Sequence, residues 1–224
     1  MSLKGVIFDI DGTLVDSNDA HASSWVETFA EAGYEVPFDV VRPLIGMGGD
    51  KLLPDTIGVS QDSEEGKKLT KRRSEIFRER YLPRLQPLKG SRQLVQRVRD
   101  DGLKPLVATS AKDKELESLL KAADVAGLME ERATASDAKR SKPDPDIVHA
   151  AVAESEIPPS QLVMIGDTPY DVEASTRAGV RVIAFRSGGW KDADLKGAVE
   201  IYDGPADLLE HYDASLIGRE RKKS

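Results

Sequence analysis

Short, almost wholly apolar runs separated by helix-length segments constrain this chain more than any other feature. Val6-Ile7-Phe8, Lys104–Thr109 with Pro-Leu-Val-Ala inside it, Leu162–Ile165 and Val180–Phe185 carry little alternation. Runs of that kind suit strands buried on both faces, since a half-wet strand would alternate. Val199–Tyr202 reads as a last, shorter strand. Between them the period changes. Lys112–Ala123 reads as a helix, another starts at Pro143 and buries Ile147, Val148, Ala151 and Val152, and Pro169–Ala178 is a third, closed by Gly179. Strands alternating with helices of about ten residues specify an α/β, doubly wound parallel sheet.

One long segment interrupts that rhythm. From Ser17 to Ala32, Trp25, Val26, Phe29, Ala30 and Gly33 share a helical face, and Gly33 suits the helix end. Pro37 and Pro43 break the chain, and Gly46-Met47-Gly48-Gly49 forms a loop. Asp62 and Glu65 have the spacing of a capping box, followed by a thin apolar stripe of Leu69, Ile76, Phe77 and Tyr81. Pro83, Pro87 and Gly90 end the region. Residues 16–87 therefore read as an all-helical insertion into a core formed by residues 1–15 and 88–224, with a frayed tail from Arg219 to Ser224.

A chain of 224 residues can bury a core of this kind plus an insertion. Its formal charge of -7 argues against nucleic acid as a partner. The absence of cysteine excludes disulfides, thiolate catalysis and cysteine-ligated zinc. The three histidines, His21, His149 and His211, lie far apart, so any metal would be a hard cation on oxygen ligands, such as magnesium. The apolar run Gly5–Ile10 is too short for a signal peptide or a membrane span. The expectation is a cytoplasmic protein without a membrane partner, a monomer or weak homodimer.

Open parallel sheets build their sites at the carboxyl ends of strands. Asp9, Thr109 and Asp167 stand at such ends, and Lys142 sits in a loop before a helix. In Asp9-Ile10-Asp11-Gly12-Thr13, the first carboxylate can attack phosphorus once a cation screens the repulsion. The second can protonate the leaving oxygen and then activate water. Gly12 permits the sharp turn that lets both acids face one centre. The alternative is a polar turn, but four specified residues arise by chance with a probability on the order of 10⁻³. In Gly166-Asp167-Thr168-Pro169-Tyr170-Asp171, Asp167 can bind a cation and Asp171 can bind it or orient its waters. The same pattern also describes a helix-capping loop. Thr109-Ser110 offers donors for a phosphate, or simply a helix N-cap. Lys142 either neutralises phosphate and steadies Asp9 or is one more solvated lysine.

Taken in order, these four motifs resemble the haloacid dehalogenase superfamily over about the whole chain. The insertion after the first motif is similar to the small helical cap of phosphoglycolate phosphatases and β-phosphoglucomutases. The resemblance implies a Rossmann-like core and a phosphatase acting on small phosphorylated metabolites. It further implies Asp9 as nucleophile and Asp11 as general acid/base. Magnesium would be held by Asp9, the Asp11 carbonyl oxygen and Asp167, with Asp171 supporting, and phosphate by Thr109, Ser110 and Lys142. The dehalogenases themselves lack the second aspartate, so Asp11 points to phosphoryl transfer. Leu44–Asp50 resembles the Gly-x-Gly substrate loop of phosphoglycolate phosphatases, making Gly46, Gly48 and Gly49 candidate substrate contacts, or a plain turn. His21 matches a histidine of the mutases, or is a packed or solvent-facing helical residue. Ile45 and Gly49 stand where mutases carry lysine and arginine, which sets a sugar-phosphate mutase, and further off a silent binding scaffold, behind the phosphatase.

Overall fold

The computed structural model describes residues 2–111, 113–129, 131–134 and 136–221. Six strands form one parallel sheet: β1 (Gly5–Phe8), β2 (Lys104–Ala108), β3 (Glu131–Ala133), β4 (Leu162–Gly166), β5 (Arg181–Phe185) and β6 (Glu200–Tyr202). Their order is β3-β2-β1-β4-β5-β6. The apolar runs become strands because each has a packed layer on both faces. Val6, Phe8, Val107, Val163 and Ile165 enter one buried cluster, while Ile7, Leu106, Leu162 and Met164 enter the other. The strand at Glu131–Ala133 was not expected. It is a three-residue edge strand containing two charged residues, and it has no apolar signature to read.

The helices are α1 (Asn18–Glu31), α2 (Phe38–Val41), α3 (Gly49–Ile57), α4 (Glu64–Ile76), α5 (Ser91–Asp100), α6 (Asp113–Ala122), α7 (Asp146–Ser155), α8 (Pro169–Arg177), α9 (Pro205–Glu210) and α10 (Leu216–Glu220). Among the described residues, those between β1 and α5 form only helices, short helical turns and loops. This inserted segment has its own small core of Ala22, Trp25, Phe29, Val41, Ile45, Leu52, Leu53 and Leu69. Phe77, however, packs in the sheet's core, with Tyr81 and Leu82 against it. Two layers thus share that side chain.

Several local expectations need correction. The helix expected from Pro143 begins at Asp146, after Pro145. Lys142-Pro143-Asp144 forms a turn ahead of it. The N-cap of α4 is Ser63, whose hydroxyl accepts from Gly66 N, so Asp62 and Glu65 form no capping box. Ala30 is exposed, and the buried face of α1 is His21, Ala22, Trp25 and Phe29. Lys112, where a helix was expected to start, lies outside the described residues, as do residues 222–224 of the tail. Arg219 and Arg221 are held by Glu200 at 2.8 Å and Asp213 at 2.6 Å rather than frayed.

Candidate active site

Strand register brings the motifs together. Phe8 pairs with Val107 on one side and Ile165 on the other. The residues just beyond, Asp9, Thr109 and Asp167, therefore emerge side by side at the end of three adjacent strands. The strand order reverses direction at β1 and β4, where open sheets form their crevice.

Lys142 reaches this point from its loop and is 1% exposed. Its Nζ lies 2.7 Å from Asp9 Oδ1 and 2.7 Å from Asp171 Oδ1. It is therefore not one of the solvated lysines. Burial by itself would lower its pKa, but the carboxylates of Asp171 and Asp9 outweigh burial and hold it above its ordinary value. Asp171 serves two purposes. Its Oδ2 accepts from the Thr168 hydroxyl at 2.6 Å and the Thr168 amide at 3.0 Å, closing a capping box on α8, while Oδ1 faces Lys142. The helix-capping reading of that loop therefore holds, and the same residue also faces the lysine.

Asp167 is gripped by two residues the sequence did not single out for it. Thr13 Oγ1 donates to Oδ1 at 2.9 Å and Asn18 Nδ2 to Oδ2 at 2.8 Å. Gly12 has φ +72, and a Cβ there would fall 2.1 Å from Asp167 Oδ2. Only glycine allows this turn and this close approach. The carboxylate oxygens of Asp9, Asp167 and Asp171 lie within 4.8 Å of one another, the one such acidic group among the described residues. Burial first, then the neighbouring carboxylate of Asp171, pushes Asp167 up to about 7 despite Asn18 and Thr13. Burial likewise raises Asp9 well above its usual range, more than Lys142 lowers it. Three crowded carboxylates against one ammonium fit a hard divalent cation on oxygen ligands.

Asp11 points elsewhere. Its Oδ1 accepts from the Ser17 hydroxyl at 2.5 Å and lies 2.8 Å from His21 Nε2. Burial pushes the carboxyl up, but His21 and Ser17 more than offset this and hold it below its ordinary value. The imidazole is buried and stacked on Phe77, with ring centroids 4.1 Å apart. Ser17 occupies the N-cap of α1 without capping it. A hydroxyl that would normally hold a helix end is turned to the Asp11 carboxylate instead.

The inserted helices sit over this crevice. The Ser110 hydroxyl donates to Gly46 O at 3.3 Å, and the Ser141 amide to Asp50 Oδ2 at 3.1 Å. Lys51 pairs with Asp144 at 2.7 Å. Gly46, at φ +112, has Thr168 Cγ2 2.9 Å from where a Cβ would be, so the loop packs directly on the motif after β4. Thr109 is buried, and its Oγ1 accepts from Ala111 N at 3.1 Å, a cap-like bond. Between the two layers lies a cavity of about 720 Å³, lined by Trp25, Gly48, Gly49, Arg73 and Phe77 above and by Thr109, Ser110 and Ser141 below.

Comparison with known proteins places these features in context. Residues 6–185 match the family model of haloacid dehalogenase-like hydrolases. An N-acetylmuramic acid 6-phosphate phosphatase of Pseudomonas aeruginosa is 29% identical over 220 residues, covering 96% of this chain and 97% of that protein. The chloroplast protein Suppressor of Quenching 1 of Arabidopsis thaliana is 32% identical over 189 residues, 83% of this chain, which spans only 18% of its length. The crystal structure of a hydrolase from Pseudomonas syringae superposes with a TM-score of 0.87 at 28% identity, covering 94% of this chain and 98% of that one.

Proposed function

The chain belongs to the haloacid dehalogenase-like hydrolases, and on that premise we propose that it is a magnesium-dependent phosphatase working through a phosphorylated Asp9. It is a phosphoric monoester hydrolase by family and relatives. Its proposed substrates are small phosphorylated metabolites of the phosphoglycolate or sugar-phosphate type. One observation carries the reading: Asp9 stands at the end of β1 against Lys142, with Asp167 and Asp171 beside it. A binding scaffold has no physical need for a buried lysine between two buried carboxylates.

In the proposed reaction an Asp9 oxygen attacks phosphorus, a phosphorus–oxygen bond forms, and the ester oxygen leaves with the bonding pair. Asp11, 2.8 Å from His21 Nε2, passes a proton to the departing alkoxide. Water then attacks phosphorus, the bond from phosphorus to the Asp9 oxygen breaks to free the carboxylate and inorganic phosphate, and Asp11 takes a proton from the water. Lys142, Thr109 and Ser110 hold the phosphoryl oxygens. Asp9, the Asp11 carbonyl oxygen and Asp167 would hold magnesium, with Asp171 supporting, and the ion would screen the carboxylates from the phosphate. Residues 16–87 act as a cap that encloses the substrate and excludes water, with Gly46, Gly48 and Gly49 next to the ligand. The mutase alternative lacks its cations: Ile45 is buried in the insertion's own core, and a side chain at Gly49 would start 2.9 Å from Gln61 Oε1.

Phosphate release measured across a metabolite panel, beside phosphopeptides, oligonucleotides and a mutase assay with a bisphosphate primer, tests the assignment. Hydrolysis of small monophosphates is expected. Preference for the macromolecules, or isomerisation outrunning phosphate release, would defeat it.

A further inference from the structure

The turn that carries Lys142 is held from two sides, and one side belongs to the insertion. Asp144 N donates to Ser141 O at 3.0 Å, closing the turn around Lys142 and Pro143. The core supplies Arg177, which donates to Pro143 O at 3.2 Å and to Asp144 Oδ1 at 3.1 Å. The insertion supplies two neighbouring residues. Asp50 Oδ2 accepts from the Ser141 amide at 3.1 Å, and Lys51 Nζ lies 2.7 Å from Asp144 Oδ2. They grip the turn just before Lys142 and just after Pro143.

The insertion's ion pair is the better enclosed. Lys51 and Asp144 are 27% and 10% exposed, whereas Arg177 is 44% exposed and Arg140, 3.4 Å from the same carboxylate, is 61%. Water screens the outer pairs more strongly. The Lys51 hydrogen bond is also the first cause holding the Asp144 carboxyl below its ordinary value. The fit is close: a Cβ on Gly48 would fall 2.7 Å from Ser141 Cβ and 2.7 Å from Asp50 Oδ1. A side chain there would drive the insertion's loop off the turn.

A lysine has a long stem with much rotamer freedom, so the place of its ammonium depends on where its backbone is fixed. We infer that Asp50 and Lys51 are positioning residues for Lys142, locking its turn from the insertion's side so that the ammonium meets the phosphoryl oxygens beside Asp9. The inference rests on the phosphatase reading and deepens it. It gives the loop of Gly46, Gly48 and Gly49 a task toward the phosphoryl group that does not depend on the leaving group.

The test is kcat/KM for phosphoglycolate, glycerol phosphate, glucose 6-phosphate and p-nitrophenyl phosphate, with inhibition by inorganic phosphate, in the wild type and in variants. Lys51→Met is expected to lower kcat/KM by about 10-fold or more, by one factor shared across the esters, since it displaces a group that holds phosphoryl oxygens. The inhibition constant of inorganic phosphate, which has no leaving group, is expected to rise with it. Lys51→Arg keeps a cation for Asp144 and should recover most of the loss. Tyr170→Phe removes a different bond between insertion and core, from the Tyr170 hydroxyl to Pro43 O at 2.8 Å, and should lose little. Asp50→Ala frees the other side of the turn and is expected to repeat the Lys51→Met pattern, and it decides if that variant does not fold. Full activity in folded Lys51→Met, a loss that varies with the leaving group, or one that Lys51→Arg does not recover overturns the inference. So does an unchanged phosphate inhibition constant, or an equal loss in Tyr170→Phe. These outcomes leave the phosphatase reading standing. Release from no ester by the wild type brings down both.

Discussion

Asp9→Asn is expected to remove turnover, lowering kcat by about 10⁴-fold or more, while the protein stays folded. Asn matches Asp in shape, so the end of β1 and its packing are unchanged. What disappears is the charged oxygen that attacks phosphorus, and an amide is far too weak a nucleophile to replace it. Stability should hold or rise. Burial drives the Asp9 carboxyl well above its ordinary range, so its charge is a burden on the folded state that the amide lifts. Lys142 keeps Asp171 as a counter-charge at 2.7 Å. Phosphate release together with a thermal melt checks both halves. Substantial residual activity in a folded variant would exclude Asp9 as the nucleophile.

Removing divalent metal is expected to stop phosphate release, and magnesium to restore it. Asp9, Asp167 and Asp171 crowd their oxygens within 4.8 Å, and a phosphate brought among them is repelled unless a cation intervenes. Calcium should serve poorly, since it tolerates looser geometry and more ligands than magnesium. The same crowding gives the metal a pH signature. Asp167, at about 7 in the folded protein against 3.8 ordinarily, and Asp9, also raised, favour the protonated fold. The metal-free protein therefore keeps this contribution to stability below pH 4 and loses it as pH rises through about 7. An ion that binds the ionised carboxylates offsets the loss, so the rise in Tm on adding magnesium should be larger at pH 8 than at pH 5. Equal gains at the two pH values, or full activity in excess chelator with metal verified absent, would contradict the assigned ligands.

How much of this was legible beforehand depended on whether a residue's task is written in its neighbours along the chain. Buried strands announce themselves as apolar runs, as β1, β2, β4 and β5 did, whereas Glu131–Ala133 owes its place to pairing with Leu106–Ala108, a distant segment. Asp9, Asp11 and Asp167 stood out because strand ends and turn glycines adjoin them, whereas Lys142 read equally as a solvated lysine, and its burial between Asp9 and Asp171 appears only in the fold. Asn18 and Ser17 were not, since an Asn or Ser before a helix ordinarily signals a cap. Their real partners, Asp167 and Asp11, emerge only when the Gly12 turn folds the chain back. Arg73 lies in a charged stretch and was not singled out. Its enclosure follows from Glu115, 42 residues away.

The central claim is a phosphoryl group carried on Asp9. Wild-type protein mixed with a phosphate ester labelled in the phosphoryl group, quenched in acid within one turnover and digested, allows the label to be located by mass spectrometry. The label is predicted on the peptide bearing Asp9, released by hydroxylamine and absent from Asp9→Asn. Single-turnover hydrolysis with no labelled peptide, or with label on any other residue, would contradict it.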